Sequence, residues 1–153
     1  MLKPVQTQSI KAGGTTFAIV ASTYNAGYVD AMLRAAQAEL RRAGAKVRVV
    51  RVPGAYEIPV VAKTLSAKNP GLAGILCLGV ILRGATTHAA HIGETVSNAL
   101  MQIQLAHQIP VIHEVLLLEN EAQAQARCLG RKHNRGTEAA QTALAMARVM
   151  ATL

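Results

Sequence analysis

Several residues with chemistry to offer sit at abrupt junctions in this chain. The sharpest junction is "LGVILRGATTHAAHIGE", Leu78 to Glu94, where an aliphatic run stops at Arg83-Gly84 and Thr86, Thr87 and His88 follow. A glycine such as Gly84 lets the backbone approach a ligand closely and adopt angles that other residues avoid. Thr86 or Thr87 is placed to cap the helix that follows, whose unpaired N–H groups and positive dipole end suit an anion, most naturally a phosphate. An ordinary strand-to-helix turn with a threonine cap has the same pattern. No G-x-x-x-x-G-K-[ST] is present, so this is not a Walker loop. His88 stands beside that anion site, and a neutral imidazole there can take or give a proton as a general acid or base. The plainer reading is a capping or packing histidine. His88, His91 and Glu94 recur at i, i+3 and i+6 and do not converge as the i, i+4 histidines of H-E-x-x-H do, so no metal site is expected.

Other junctions carry further candidates. In "VPGAYEIP", Val52 to Pro59, Glu57 is expected in the first helical turn, where the dipole favours a carboxylate. It could accept hydrogen bonds from ring N–H groups of a heterocycle, or serve helix-start electrostatics alone. "STYN", Ser22 to Asn25, offers Tyr24 as a flat face for a planar ring, with Asn25 as a local turn former. Arg127 and Arg135 can each pair with a phosphate through two N–H groups, or sit as solvated surface.

The elements that must position these residues alternate. Strands are expected at Thr15–Ser22, Lys46–Val52, Ala73–Leu82 and Pro110–Leu118, the third so uniformly apolar that it must be central and covered on both faces. Helices are expected from about Tyr28 to Ala43, Glu57 to Ala67, His88 to Gln108, Glu121 to Cys128 and Thr137 to Ala151. The first carries Val29, Met32, Leu33, Ala36 and Leu40 at helical spacing and stops at Gly44. Pro59 sits near the first turn of the second, where its missing N–H costs nothing. On the long third helix, Ile92, Val96, Ala99, Leu100, Ile103 and Ala106 form the core stripe, with Met101 and Leu105 nearly opposite.

Strand–helix alternation predicts an α/β fold, a single-domain three-layer αβα sandwich of flavodoxin-like type around a central four-stranded parallel sheet, with right-handed crossovers. Residues 1–15 read as an N-terminal tail and 16–153 as the domain. Ligands of such sheets bind outside the carboxyl ends of the strands, so functional residues should follow Ser22, Val52, Leu82 and Leu118.

Composition bounds the class of function. The chain has 153 residues, 51% of them hydrophobic and 16% charged, which excludes disorder for most of its length. No apolar run is long enough for a membrane span and no signal-peptide core is present, making the cytoplasm the default location. Cys77 and Cys128 lack metal or redox spacing and read as buried free thiols. The net charge of +8 fits attraction of a small anionic substrate or a nucleic-acid surface. Scattered basic residues with few aromatics to stack bases argue against nucleic acid.

Taken in order and spacing, "TYN", "VPGAYEIP", "GVILRGATTH", "LLLEN" and "RCLGRKHNRG" resemble the lumazine synthases (6,7-dimethyl-8-ribityllumazine synthases) from about Thr16 to Met150. The resemblance implies a transferase of riboflavin biosynthesis that condenses 5-amino-6-(D-ribitylamino)uracil with 3,4-dihydroxy-2-butanone 4-phosphate, without metal or organic cofactor. By match, Tyr24 is the ring-stacking aromatic, usually Phe or Trp. Ala55, Tyr56 and Glu57 hold the uracil and ribityl chain, and Val80, Ile81 and Leu82 form the other wall. Ala85 and Thr86 bind phosphate, Arg127 clamps it, and His88 transfers protons. His113 stands where many members have Phe, contributed by a neighbouring subunit, and Arg135 where many have Lys. The resemblance also implies a homopentamer with sites between adjacent subunits, stacked in pairs or built into a capsid in some members. A flavodoxin-like paralogue that binds a flavin, lumazine or phosphometabolite without turnover is the alternative.

Overall fold

The computed structural model describes residues 9–153. Four strands, β1 (Thr16–Ser22), β2 (Lys46–Val52), β3 (Gly74–Leu82) and β4 (Val111–Leu118), form one parallel sheet in the order β2-β1-β3-β4. Helices α1 (Ala26–Arg42), α2 (Ile58–Lys68), α3 (His88–His107), α4 (Glu121–Cys128) and α5 (Arg135–Met150) connect and flank them. The expected α/β sandwich is borne out.

β1 and β3 occupy the centre because their residues can be buried on both faces. Phe17, Ile19, Leu76 and Leu78 pack toward α1, α4 and α5, while Ala18, Val20, Ile75 and Cys77 pack toward α2 and α3. β2 is an edge strand whose Lys46, Arg48 and Arg51 remain exposed. Cys77 and Cys128 are buried free thiols, and burial alone pushes Cys77 up to about 12.

α1 buries the five residues expected of it, Val29, Met32, Leu33, Ala36 and Leu40. It ends at Gly44, whose φ of +85° is readily adopted only without a side chain. It begins two residues earlier than expected, because Asn25 takes a left-handed conformation and reverses the chain at once. α5 also starts two residues early: Asn134 Oδ1 accepts from the Gly136 N–H at 2.8 Å, capping the helix ahead of Thr137. Gly136 lies against α1 so closely that a Cβ would fall 2.0 Å from the Met32 carbonyl oxygen.

The core stripe of α3 is narrower than expected. Val96, Leu100 and Ile103 are buried, Ile92 and Ala99 partly so, and Ala106 is exposed near the helix end. Met101 and Leu105 are exposed, on the side away from the sheet. Of the tail assigned to residues 1–15, residues 1–8 lie outside the described residues, and Ile10 and Ala12 pack against the core.

Candidate active site

The carboxyl ends of β1, β2 and β3 open into a cleft of about 950 Å³ between the strand ends and the first two turns of α3. Tyr24 and Asn25 come from the loop after β1. Gly54, Ala55, Tyr56 and Glu57 come from the turn after β2, and Ile81, Leu82, Gly84 and Thr86 from β3 and its exit. His88, Ala89, His91, Ile92 and Thr95 line the helical wall. This is the location that a parallel sheet dictates, since all strand ends and all following helix N-termini point the same way.

Each junction has a local cause. After β2, residues 55–57 form one 3-10 turn before α2 begins at Ile58, so Glu57 precedes the helix rather than lying in its first turn. Its carboxylate folds back and accepts the Gly54 N–H at 2.9 Å, closing the turn. A Cβ at position 54 would meet that carboxylate oxygen at 2.9 Å, so a side chain there would push the Glu57 carboxylate aside. One Glu57 oxygen is thereby committed. Tyr56 and Tyr24 are left standing at the rim, 61% and 74% exposed.

After β3 the chain turns at Gly84. This glycine does not occupy the left-handed region, and a Cβ there would meet nothing within 4 Å. Unusual backbone angles therefore do not explain it, contrary to one half of the sequence reading; what remains is bare backbone facing open space. Thr86 Oγ1 accepts the His88 N–H at 3.4 Å, at the outer limit for a hydrogen bond, and Thr87 makes no side-chain cap. The amides of the first α3 turn thus stay open to an anion. His88 is the first residue of α3 and is exposed at the cleft. Among the described residues, no three His, Cys, Asp or Glu side chains gather as a metal would require.

Of the residues singled out in the sequence, Tyr24, Ala55, Tyr56, Glu57, Ile81, Leu82, Thr86 and His88 meet in this cleft. Val80 sits just below it, its side chain buried and its carbonyl oxygen accepting the Asn25 Nδ2–H at 2.7 Å. Ala85 is exposed on the loop between Gly84 and Thr86.

His113, Arg127 and Arg135 do not line the cleft of their own protomer. His113 lies on β4 against α3, where its Nδ1 accepts the Val115 N–H at 3.3 Å. The proton must then sit on Nε2, which donates to Ser97 Oγ at 2.7 Å, and Ser97 in turn donates to the Gly93 carbonyl at 2.8 Å. Burial lowers the His113 pKa and favours this neutral ring. Arg135, the first residue of α5, grips the carboxylate of Glu114 through Nε and Nη2 at 3.0 and 2.9 Å, and Glu138 through Nη1 at 2.5 Å. Glu114 is 5% exposed, and burial pushes its carboxyl up to about 7 against the pull of Arg135. Arg127, in the last turn of α4, is partly buried and near enough to Glu114 to favour its charge.

Residues 14–151 match the family model described as 6,7-dimethyl-8-ribityllumazine synthase. The chain belongs to that family. It is 39% identical over 140 residues to the 6,7-dimethyl-8-ribityllumazine synthase of Stenotrophomonas maltophilia strain R551-3, covering 90% of each chain. To the enzyme of the same name from Desulfotalea psychrophila it is 38% identical over 148 residues, 95% of each. To that of Xanthomonas campestris pv. campestris strain B100 it is 38% identical over 140 residues, 90% of each. The resemblance seen in the sequence is therefore borne out, and with it a transferase of riboflavin biosynthesis. Among the described residues, no helix is long and apolar enough to cross a membrane.

Sequence reasoning gave no site role to several residues that line the cleft, among them His91, Thr95 and Asn25. His91 and Thr95 lie one and two turns along α3 from His88, at i+3 and i+7, so the helical spacing that predicted the core stripe would have found them. Asn25 read as a turn former, and its bond to Val80 spans 55 residues, which no local pattern reveals.

Proposed function

We propose that this chain condenses 5-amino-6-(D-ribitylamino)uracil with 3,4-dihydroxy-2-butanone 4-phosphate to give 6,7-dimethyl-8-ribityllumazine. The observation that carries this reading is the convergence on one cleft of an aromatic face, a carboxylate, a helix N-terminus and an imidazole: Tyr24, Glu57, Thr86 with the α3 amides, and His88. Tyr24 stacks on the pyrimidine against the wall of Val80, Ile81 and Leu82. Ala55, Tyr56 and Glu57 hold the uracil and its ribityl chain, using the Glu57 oxygen not bonded to Gly54. Ala85 and Thr86, with the open amides that follow, receive the phosphate.

The chemistry needs little beyond positioning and proton transfer. The substrate's primary amine attacks the ketone carbonyl and forms an imine with loss of one water. Loss of the adjacent C–H proton then expels phosphate and leaves an enol, which tautomerises to a new ketone; attack by the ribityl-bearing nitrogen on that carbonyl closes the ring and expels a second water. Each step moves a proton, and His88 beside the phosphate cradle serves as the shuttle. Neutralising the departing phosphate lowers its barrier, while holding two substrates in register removes an entropic cost.

His113, Arg127 and Arg135 lie off their own protomer's cleft, and the reading assigns them to the cleft of an adjacent subunit in a homopentamer. There the neutral His113 ring covers the pyrimidine. Arg127 clamps the phosphate, and Arg135, already bound to two carboxylates, supports that clamp from behind. Mixing the two substrates at neutral pH and following lumazine fluorescence tests the reading; product formation is expected, and its absence with folded, assembled protein would overturn it.

A further inference from the structure

The loop after β1 leaves the centre of the sheet in an unusual way. β1 pairs with β3 only as far as Ala21 opposite Leu78, yet with β2 as far as Ser22 opposite Val52. Beyond that the loop keeps following β2: the Thr23 N–H donates to the Val52 carbonyl at 2.8 Å and the Tyr24 N–H to the Pro53 carbonyl at 2.9 Å. Nothing in the backbone ladder then fixes the loop against β3, the strand whose end forms the opposite wall of the cleft. Asn25 fills that role with its side chain. Its Nδ2 donates to the Val80 carbonyl at 2.7 Å, two positions along β3 from Leu78, the last residue there that pairs with β1.

Two further features mark the position. Asn25 is one of two non-glycine residues with positive φ among the described residues, at φ 56° and ψ 42°, a conformation asparagine tolerates better than most. The Asn25 carbonyl also accepts the Tyr28 and Val29 N–H groups that open α1, at 3.1 and 3.2 Å. One residue thus ends the loop, starts a helix and bridges to the central strand. The amide orientation is unambiguous, because a carbonyl oxygen can only accept and so the NH₂ must face it.

We infer that Asn25 is a positioning residue for the pyrimidine half of the reaction: its side-chain bridge to the Val80 carbonyl sets the distance between the Tyr24 ring and the Ile81–Leu82 wall. The inference rests on the proposed substrates and deepens that reading. It has a second consequence, since the bridge already engages the Val80 carbonyl and so directs ring donors to other groups of the cleft. The phosphate end of the cleft, at Thr86 and the start of α3, is reached by a different loop and should not feel the bridge.

The test compares Asn25→Gly, which keeps the positive φ without strain and removes the amide, with Asn25→Asp, which keeps the shape and sets a carboxylate against the Val80 carbonyl. Steady-state kinetics with each substrate varied in turn, and thermal unfolding, are the measurements. Loss of one such hydrogen bond is expected to raise the KM for the ribitylaminouracil about five- to tenfold, with the KM for the butanone phosphate within about twofold of wild type. Asn25→Asp should be at least as impaired as Asn25→Gly at neutral pH. It should recover pyrimidine affinity relative to wild type on acidification, as its protonated carboxyl regains a donor, measured by calorimetric titration with the ribitylaminouracil alone. An unchanged pyrimidine KM in both variants, or equal rises in both KM values, would overturn the inference; should Asn25→Gly fail to fold, Asn25→Asp carries the same criteria. Failure of the proposed function would instead show as an inactive wild-type protein, so the two failures are distinguishable.

Discussion

His88 stands on the first turn of α3, where the helix has spare N–H groups and the neighbouring Thr86 gives only a long, weak cap. On the proposed reading an imidazole there moves protons within reach of the departing phosphate. His88→Ala should therefore lower kcat about a hundredfold or more while leaving both KM values near wild type; unchanged turnover would take His88 out of the mechanism. The proposed reading gives Arg127 the phosphate. Because Arg135 already spends its donors on Glu114 and Glu138, Arg127 is the freer guanidinium for a dianionic phosphate. Arg127→Ala should raise the KM for the butanone phosphate about tenfold or more, with the pyrimidine KM little altered. A KM that does not move would shift the clamp to Arg135. Asn25 shows the limit of reading residues singly, since its side chain matters for a carbonyl on a strand 55 residues away.

At the scale of elements, α5 is tied to the sheet by a charge buried in it. Glu114 on β4 faces Arg135 at the start of α5, and Asn134 caps that helix while its Nδ2 donates to the Cys128 carbonyl at the end of α4 at 2.7 Å. Burial holds the Glu114 carboxyl up at about 7, against an ordinary value of 4.5, despite Arg135. Between those two values the folded chain retains a proton that the unfolded chain has lost, so this group's contribution to stability falls as pH rises through that window. Glu114→Gln removes the titration. The melting temperature of wild type relative to Glu114→Gln should therefore decline from about pH 4.5 to about pH 7, as read by circular dichroism. A difference independent of pH would show that the carboxylate is already charged throughout. The same elements explain how the sequence placed them. α1 carried its apolar stripe openly, and β3 announced itself by an unbroken aliphatic run buried on both faces. The starts of α1 and α5 were displaced by the left-handed backbone of Asn25 and by the single capping hydrogen bond of Asn134, neither of which shows in periodicity.

At the scale of the whole molecule, the proposed reading needs residues from more than one copy of the chain. The cleft gathers Tyr24, Glu57, Thr86 and His88, while His113, Arg127 and Arg135 lie outside it on β4, α4 and α5. Met101 and Leu105 leave an apolar strip on α3, 53% and 69% exposed. Assembly into a ring that brings one subunit's β4 and α4 to another's cleft accounts for both facts. Light scattering should give a mass of five subunits or a multiple of five, and a fully active monomer would contradict a shared site. Leu105→Glu is expected to yield smaller particles with reduced activity, because a carboxylate in an apolar contact goes unpaired.

The order of strands and helices, the parallel sheet and the end of it that holds the site follow from hydrophobic period and turn chemistry, which are local properties of the sequence. "VPGAYEIP" and "RGATTH" lie at strand ends that the structure brings together in one cleft, although each stretch by itself also reads as an ordinary strand-to-helix turn. The tertiary structure alone decided which polar groups are already engaged. Arg135 is bound to Glu114 and Glu138, His113 is held as a neutral ring by Ser97 and Val115, and Asn25 bridges two strand ends. Those partners lie between 2 and 55 positions apart in the chain, and most meet only when the sheet and its helices pack together. Hydrogen bonding depends on distances of a fraction of an ångström, and no spacing along a sequence fixes those.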